Sequence, residues 1–191
     1  NTFRAVNIAL ANEVADICRE LDVPVTSVID AAATKPYGFM PFLPGPGVGG
    51  HCIPCDPHYL LWQLRERRVA APMISQAMNE IASRPARVVE RAARVLSDAG
   101  LGLAGSRVLV VGVAYKPDVA DLRESPALEI IAGLERRGAF VGFVDSFCPQ
   151  ARLADGRMVS AVSDPREFDP QLVIVHTRHH DLDLSWIDEH H

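Results

Sequence analysis

The chain has 191 residues, 48% of them hydrophobic and 23% charged, the balance of a folded globular protein rather than a disordered or fibrous one. Its formal charge of −5 excludes the basic footprint that nucleic-acid binding requires, so any phosphate it meets belongs to a small molecule. No stretch approaches the roughly 20 apolar residues of a membrane span and no basic-then-apolar leader opens the sequence, so the chain reads as cytoplasmic, with its cysteines at 18, 52, 55 and 148 reduced.

Val6, Leu10, Val14, Ile17 and Leu21 recur every three or four positions and predict a first helix with one apolar face, already in register at Asn1 and without a start signal. Asp22 to Pro24 interrupts that period, and Pro24 opens a second, short helix carrying Val25, Val28, Ile29 and Ala32, so the two form a helical hairpin. Between Lys35 and Pro57 the periodicity gives way to prolines at 36, 41, 44, 46, 54 and 57 among glycines at 38, 45, 47, 49 and 50. This predicts one long, stiff loop, and its apolar Phe39, Met40, Phe42 and Leu43 predict that it is packed and functional. Helix is expected again over about 57–67, then over a long amphipathic run of about 73–99 that stops at Gly100.

After Gly100 the period changes to that of a buried strand at Val108 to Val111, followed by a helix over about 125–137 and a second strand from Phe140 to Val144. This is a βαβ unit, which Leu172 to Val175 extends into a parallel sheet. The expected fold class is therefore α plus α/β. An all-helical domain of residues 1–100 precedes a Rossmann-like parallel-sheet domain of residues 101–191, whose last elements are missing beyond Trp186.

Two segments carry chemistry. The run from Gly45 through Gly49, Gly50, His51 and Cys52 to Asp56 and Pro57 places a thiol directly after glycines and just before a helix start. Glycines admit close approach of a ligand, and a helix N-terminus stabilises a thiolate or an oxyanion. The alternative is an ordinary buried thiol in a tight turn. Cys52 and Cys55 also have the C-x-x-C spacing of a redox or half-zinc site, but they follow helices rather than a strand, and no second ligand pair stands at a recognised spacing. No metal is expected. In the α/β half, β-strand residues lead into Gly112 and Ala114-Tyr115-Lys116-Pro117-Asp118, then Asp121-Leu122-Arg123-Glu124, and a helix capped by Ser125 with Pro126 at its first position. That is where open α/β sheets bind phosphates, with Lys116 and Arg123 as matching cations. The G-x-G-x-x-G fingerprint is absent, and the alternative is a solvated loop with Lys116 exposed and Arg123 paired to Asp121.

Three segments together resemble the UDP-glucose/GDP-mannose dehydrogenase family: Asn1-Thr2-Phe3-Arg4-Ala5-Val6-Asn7, Gly45 through Pro57, and Ala114 to Asp118 with Leu122 to Pro126. The wording His51-Cys52-Ile53-Pro54 is similar to the branch acting on UDP-N-acetylglucosamine or UDP-N-acetylmannosamine. The resemblance implies two successive oxidations at sugar C6 by NAD, through a thiohemiacetal and a thioester on Cys52. It implies that Asn1 holds an oxyanion or water and that Asp56 assists proton transfer in hydrolysis. Arg4, Gly49, Tyr115 and Lys116 are implied to contact the UDP-sugar and Arg123 to reach the NAD. It further implies a homodimer through the central helices. Three departures stand out: the family's catalytic lysine and NAD-binding domain precede Asn1, an arginine expected near the C-terminus falls beyond His191, and Cys55 stands where the branch usually has valine. The chain alone is accordingly expected to be inactive as a dehydrogenase, and a non-catalytic UDP-binding or dimerisation module is the alternative reading.

Overall fold

Helices and strands form where hydrophobic period and turn chemistry direct them, in a computed structural model that describes residues 1–188. In chain order they are α1 (Thr2–Glu20), α2 (Val25–Ala33), α3 (Asp56–Glu66), α4 (Pro72–Asp98), β1 (Arg107–Val111), α5 (Pro126–Arg136), β2 (Phe140–Val144), β3 (Gln150–Arg152), β4 (Met158–Ser160), α6 (Pro165–Phe168), β5 (Leu172–Val175) and α7 (Ser185–Asp188). Two compact units result: one holds residues 1–45 and 51–83, the other residues 46–50 and the chain from Arg84 onward. Helix α4 contributes to both. Among the described residues no helix is long and apolar enough to cross a membrane.

In the helical unit, α1 ends at Leu21, where Asp22 turns left-handed at φ 53° and the Val23 amide donates back to the Cys18 carbonyl at 2.9 Å. The expected apolar face of α1 is not the buried one. Ala5, Ala9, Ala11, Ala15 and Cys18 are buried, together with Asn12, whereas Leu10, Ile17 and Leu21 are exposed. Small residues let neighbouring elements approach that side of the helix closely, so the larger apolar side chains are left on the other. The loop after α2 packs only in part: Phe42 meets Phe3 edge-on with ring centroids 6.0 Å apart, while Phe39, Met40 and Leu43 stay exposed.

In the second unit β1 is the central strand of a three-stranded parallel sheet ordered β2-β1-β5, with Leu109 opposite both Gly142 and Val173. Alternation along β1 divides the core. Val108 and Val110 face a cluster that includes Val89, Ala92 and Leu96 of α4, Ile130 and Leu134 of α5, and Phe143. Leu109 and Val111 face Trp186, with Phe168, Leu182 and Leu184 around it. Both faces of the sheet are thus covered, as parallel strands require. Burying each of these large apolar side chains contributes roughly 1.5–3 kcal/mol. A short antiparallel hairpin of β3 and β4, closed through Gly156 at φ 88°, and the brief helices α6 and α7 lie beyond the expected strands.

Candidate active site

The thiol segment belongs to the helical unit. Cys52 is exposed, and its carbonyl accepts the amides of Cys55 at 3.2 Å and Asp56 at 2.8 Å, so the turn 52–55 feeds directly into α3. Cys55 occupies the N-cap position of that helix and is half-buried. Pro57 stands in the first helical turn, where its missing N–H is no loss. Asn1, at the N-cap position of α1, makes no side-chain bond to its own helix; its side-chain amide donates instead to the Asp56 carboxylate. Three of the expected catalytic residues are therefore linked: Asn1 to Asp56 through side chains, and Asp56 to Cys52 through the backbone. Arg4 lies exposed in the first turn of α1.

The loop between β1 and α5 belongs to the second unit, as does the glycine segment 46–50. A Cβ on Gly49 would lie 2.5 Å from Tyr115 Cβ and 2.7 Å from the Glu124 carbonyl oxygen. Gly50, at φ 82°, donates its amide to the Arg123 carbonyl at 2.9 Å and lies against the Tyr115 ring. Side chains at either position would force the two segments apart. The loop itself is closed by the Tyr115 amide donating to the Asp121 carbonyl at 3.0 Å.

Lys116 is exposed, with Nζ 5.5 Å from the centre of the Tyr115 ring. Arg123 is paired to Asp121, Nε at 3.0 and 3.1 Å from the two carboxylate oxygens and Nη2 at 2.6 Å, and this guanidinium with the Arg123 amide holds the Asp121 carboxyl down to about 2. Ser125 does not cap α5 as expected. It occupies the N-cap position, but its hydroxyl donates to the Val113 carbonyl at 2.6 Å, fastening the start of the loop instead. In the first turn of α5, burial and then the charge of Glu124 push the Glu129 carboxyl up.

Sequence reasoning passed over Asp145, Thr177 and His179, which anchor this loop. Asp145 follows β2, and its Oδ2 accepts the amides of Val113 at 2.7 Å and Ala114 at 3.1 Å. Burial alone would raise this carboxyl, but the hydrogen bonds from Val113, His179, Phe147 and Ala114 outweigh it and hold the group below its ordinary value. Thr177 donates its hydroxyl to the Ala114 carbonyl at 2.7 Å. The one available signal was position: Asp145 and Thr177 follow parallel strands at their carboxyl ends, the edge of an α/β sheet where ligands bind.

Residues 1–81 match the central domain of the UDP-glucose/GDP-mannose dehydrogenase family, and residues 109–189 match the UDP binding domain of the same family. The chain belongs to that family. It is 37% identical over 139 residues to a UDP-N-acetyl-D-mannosamine dehydrogenase of Campylobacter jejuni, a span covering 73% of this chain and 32% of that protein. It is 40% identical over 146 residues to the protein of that name from Methanococcus maripaludis, a span covering 76% of this chain and again 32% of the other. Among solved structures, UDP-D-ManNAc dehydrogenase from Pyrococcus horikoshii superposes with a TM-score of 0.84 at 29% identity, over 98% of this chain and 42% of that one. The UDP-N-acetyl-mannosamine dehydrogenase of Staphylococcus aureus gives 0.79 at 34% identity over 100% and 42%. The chain spans about a third of the length of the curated relatives it matches.

Proposed function

We propose that this chain works within an NAD-dependent UDP-N-acetylhexosamine 6-dehydrogenase, which oxidises the C6 alcohol of the sugar to the acid. UDP-N-acetylmannosamine is the first candidate substrate, since both relatives named above are called dehydrogenases of that sugar nucleotide. UDP-N-acetylglucosamine is the second. The observation that carries this reading is the seat of Gly49 and Gly50 against Tyr115 and the Arg123 carbonyl. It seats the glycine segment 46–50 against the loop that carries Lys116.

In this reading Lys116 neutralises the diphosphate, and the Tyr115 ring, held against Gly50, supplies an apolar wall for the nucleotide. Bound NAD supplies the hydride acceptor for both oxidations. Arg123, exposed and held in place by Asp121, is a fixed cation suited to a diphosphate of that cofactor. The Cys52 sulfur adds to the C6 aldehyde carbon as the carbonyl oxygen takes up a proton, and after the second oxidation it leaves as thiolate when water attacks the thioester carbon. Asp56 accepts the proton of that water, and the Asn1 amide donates to the oxygen that gains charge. Arg4 contributes a further cation on the substrate side.

The apolar side chains left open on the central helices, Leu10, Ile17 and Leu21 with Val28 and Met73, support a homodimer that covers them. The reading is tested by titrating UDP into the chain and its Lys116→Ala variant, and by assaying Cys52→Ser in the complete enzyme. Loss of Lys116 is expected to weaken UDP binding about tenfold to a hundredfold, the scale of a charge-assisted hydrogen bond. Cys52→Ser is expected to abolish conversion to the acid. Unchanged UDP affinity, or full acid production, would overturn the corresponding assignment.

A further inference from the structure

The nucleotide loop is anchored at both ends by one buried carboxylate and one buried imidazole. His179 is 1% exposed. Its Nε2 lies 3.1 Å from Asp145 Oδ2, and its Nδ1 accepts the Asp118 amide at 2.9 Å. Asp145 can only accept when ionised, so the proton of the ring sits on Nε2 and the Nδ1 lone pair is left for Asp118. The Phe147 ring packs on the imidazole at 4.8 Å between centroids, and the Phe147 and Cys148 amides donate to Asp145 Oδ1 at 2.8 Å each.

Asp145 therefore fixes the loop at Val113 and Ala114, while His179 fixes it at Asp118. Tyr115, Lys116 and Pro117 are the residues strung between these anchors. Asp118 needs holding, because it sits at φ 60°, a conformation unfavourable for a residue with a Cβ. His180 helps from outside: its amide donates to Asp118 Oδ1 at 3.0 Å, and its ring nitrogen meets the other carboxylate oxygen.

We propose that His179 is a positioning residue for UDP recognition, its Nδ1 holding the Asp118 amide so that Lys116 is presented to the diphosphate. The proposal rests on the UDP reading above. It gives the two ring nitrogens separate consequences. An asparagine at 179 places a carbonyl oxygen near the position of Nδ1 and can keep the Asp118 bond. A glutamine reaches as far as Nε2 and can keep the Asp145 bond, but it offers no acceptor to Asp118.

UDP is titrated calorimetrically into the chain, into His179→Asn and His179→Gln, and into each of these combined with Lys116→Ala. His179→Gln is expected to bind UDP about tenfold more weakly, the scale of one lost hydrogen bond, and His179→Asn within about threefold of the parent chain. Melting temperatures of the two variants should fall together. In the Lys116→Ala background the glutamine effect should shrink, since coupled residues are not additive. Equal weakening by both variants, or an undiminished effect without Lys116, overturns the proposal. Hydrogen exchange of the Asp118 amide gives an arm free of substitution: added UDP should slow it, and unchanged exchange at saturating UDP counts against the role. If the parent chain fails to bind UDP, the UDP reading falls and takes this inference with it. If it binds and only Lys116→Ala weakens it, this inference alone falls.

Discussion

The side-chain amide of Asn1 donates to the carboxylate of Asp56, joining the residue that precedes α1 to the first residue of α3. The carboxylate is favourably placed at a helix N-terminus, and the Asp56 amide is itself bonded to the Cys52 carbonyl. In the reaction proposed above, a carboxylate aligned in this way is the base when water cleaves the thioester on Cys52. Asp56→Asn keeps the shape of the pair and removes the base, so steady-state turnover of the complete enzyme is expected to fall about a hundredfold or more. Acylation of Cys52 should survive, giving a rapid burst of NADH followed by a slow phase in stopped-flow measurements. Unchanged turnover would remove Asp56 from the hydrolytic step.

The turn 52–55 also brings the backbones of two cysteines together. The Cys55 amide bonds the Cys52 carbonyl at 3.2 Å, the closure of a four-residue turn. Such turns hold their end Cα atoms within about 7 Å, which overlaps the roughly 4.4–6.8 Å span of disulfides. All four cysteines are free, with Cys18 and Cys148 buried. Burial, followed by the charge of Asp145, pushes the Cys148 thiol up to about 11, which removes it from competition. A mild thiol oxidant is therefore expected to close Cys52 onto Cys55, seen as the loss of two hydrogens by intact mass and reversed by reductant. Cys55→Val should abolish the change; its persistence in that variant would point to another pair.

Much of this arrangement was legible in the sequence. Periods of 3.6 and 2 located α1 to α5 and strands β1, β2 and β5, because each runs long enough to repeat its pattern. The hairpin of β3 and β4 escaped because three-residue strands show no alternation to count. The packing of α4 also changes at Arg84, inside one unbroken amphipathic run, so a boundary drawn from the change of period falls at Gly100 instead. On α1 the rule that large apolar residues face inward failed against a packed stripe of alanines. The motifs supplied the candidate residues of the site, but the groups that hold its loop did not announce themselves. His179 lies in no periodic element and meets Asp145 only through the fold.

Gly112 shows why the loop after β1 begins with glycine although the dinucleotide fingerprint is missing. A Cβ there would lie 1.8 Å from the Thr177 carbonyl oxygen, and the residue sits at φ 74°. Both the clash with rigid backbone and the left-handed conformation oppose Gly112→Ala. The conformation alone costs roughly 1–2 kcal/mol, and shifting the Thr177 backbone should bring the total above about 3 kcal/mol. Gly156→Ala is the control, with φ 88° but open space around its Cβ, and should lose only the conformational part. Urea unfolding of the two variants gives the comparison. Similar losses at both positions would mean that the 112–177 contact relaxes without cost.

The last expectation concerns acid stability. His176 follows β5, with Nδ1 2.9 Å from the Thr177 hydroxyl and Nε2 shielded from solvent without a hydrogen-bond partner among the described residues. Burial pushes its pKa down to about 4 from 6.5, against a hydrogen bond with the Gly112 backbone and the charge of Asp145, which pull the other way. The unfolded chain therefore takes up a proton near pH 6.5 that the folded chain refuses until about pH 4. More protons are bound to the unfolded state throughout that window, so the stability contributed by the neutral ring is complete above pH 6.5 and is lost as pH falls toward 4. At about 1.4 kcal/mol per pH unit the full loss approaches about 3 kcal/mol. His176→Asn keeps a polar atom near Nδ1 and removes the titration. Urea midpoints at pH 7 and pH 4.5 should fall less in this variant than in the parent chain, and parallel falls in the two would show that His176 does not set the acid limit.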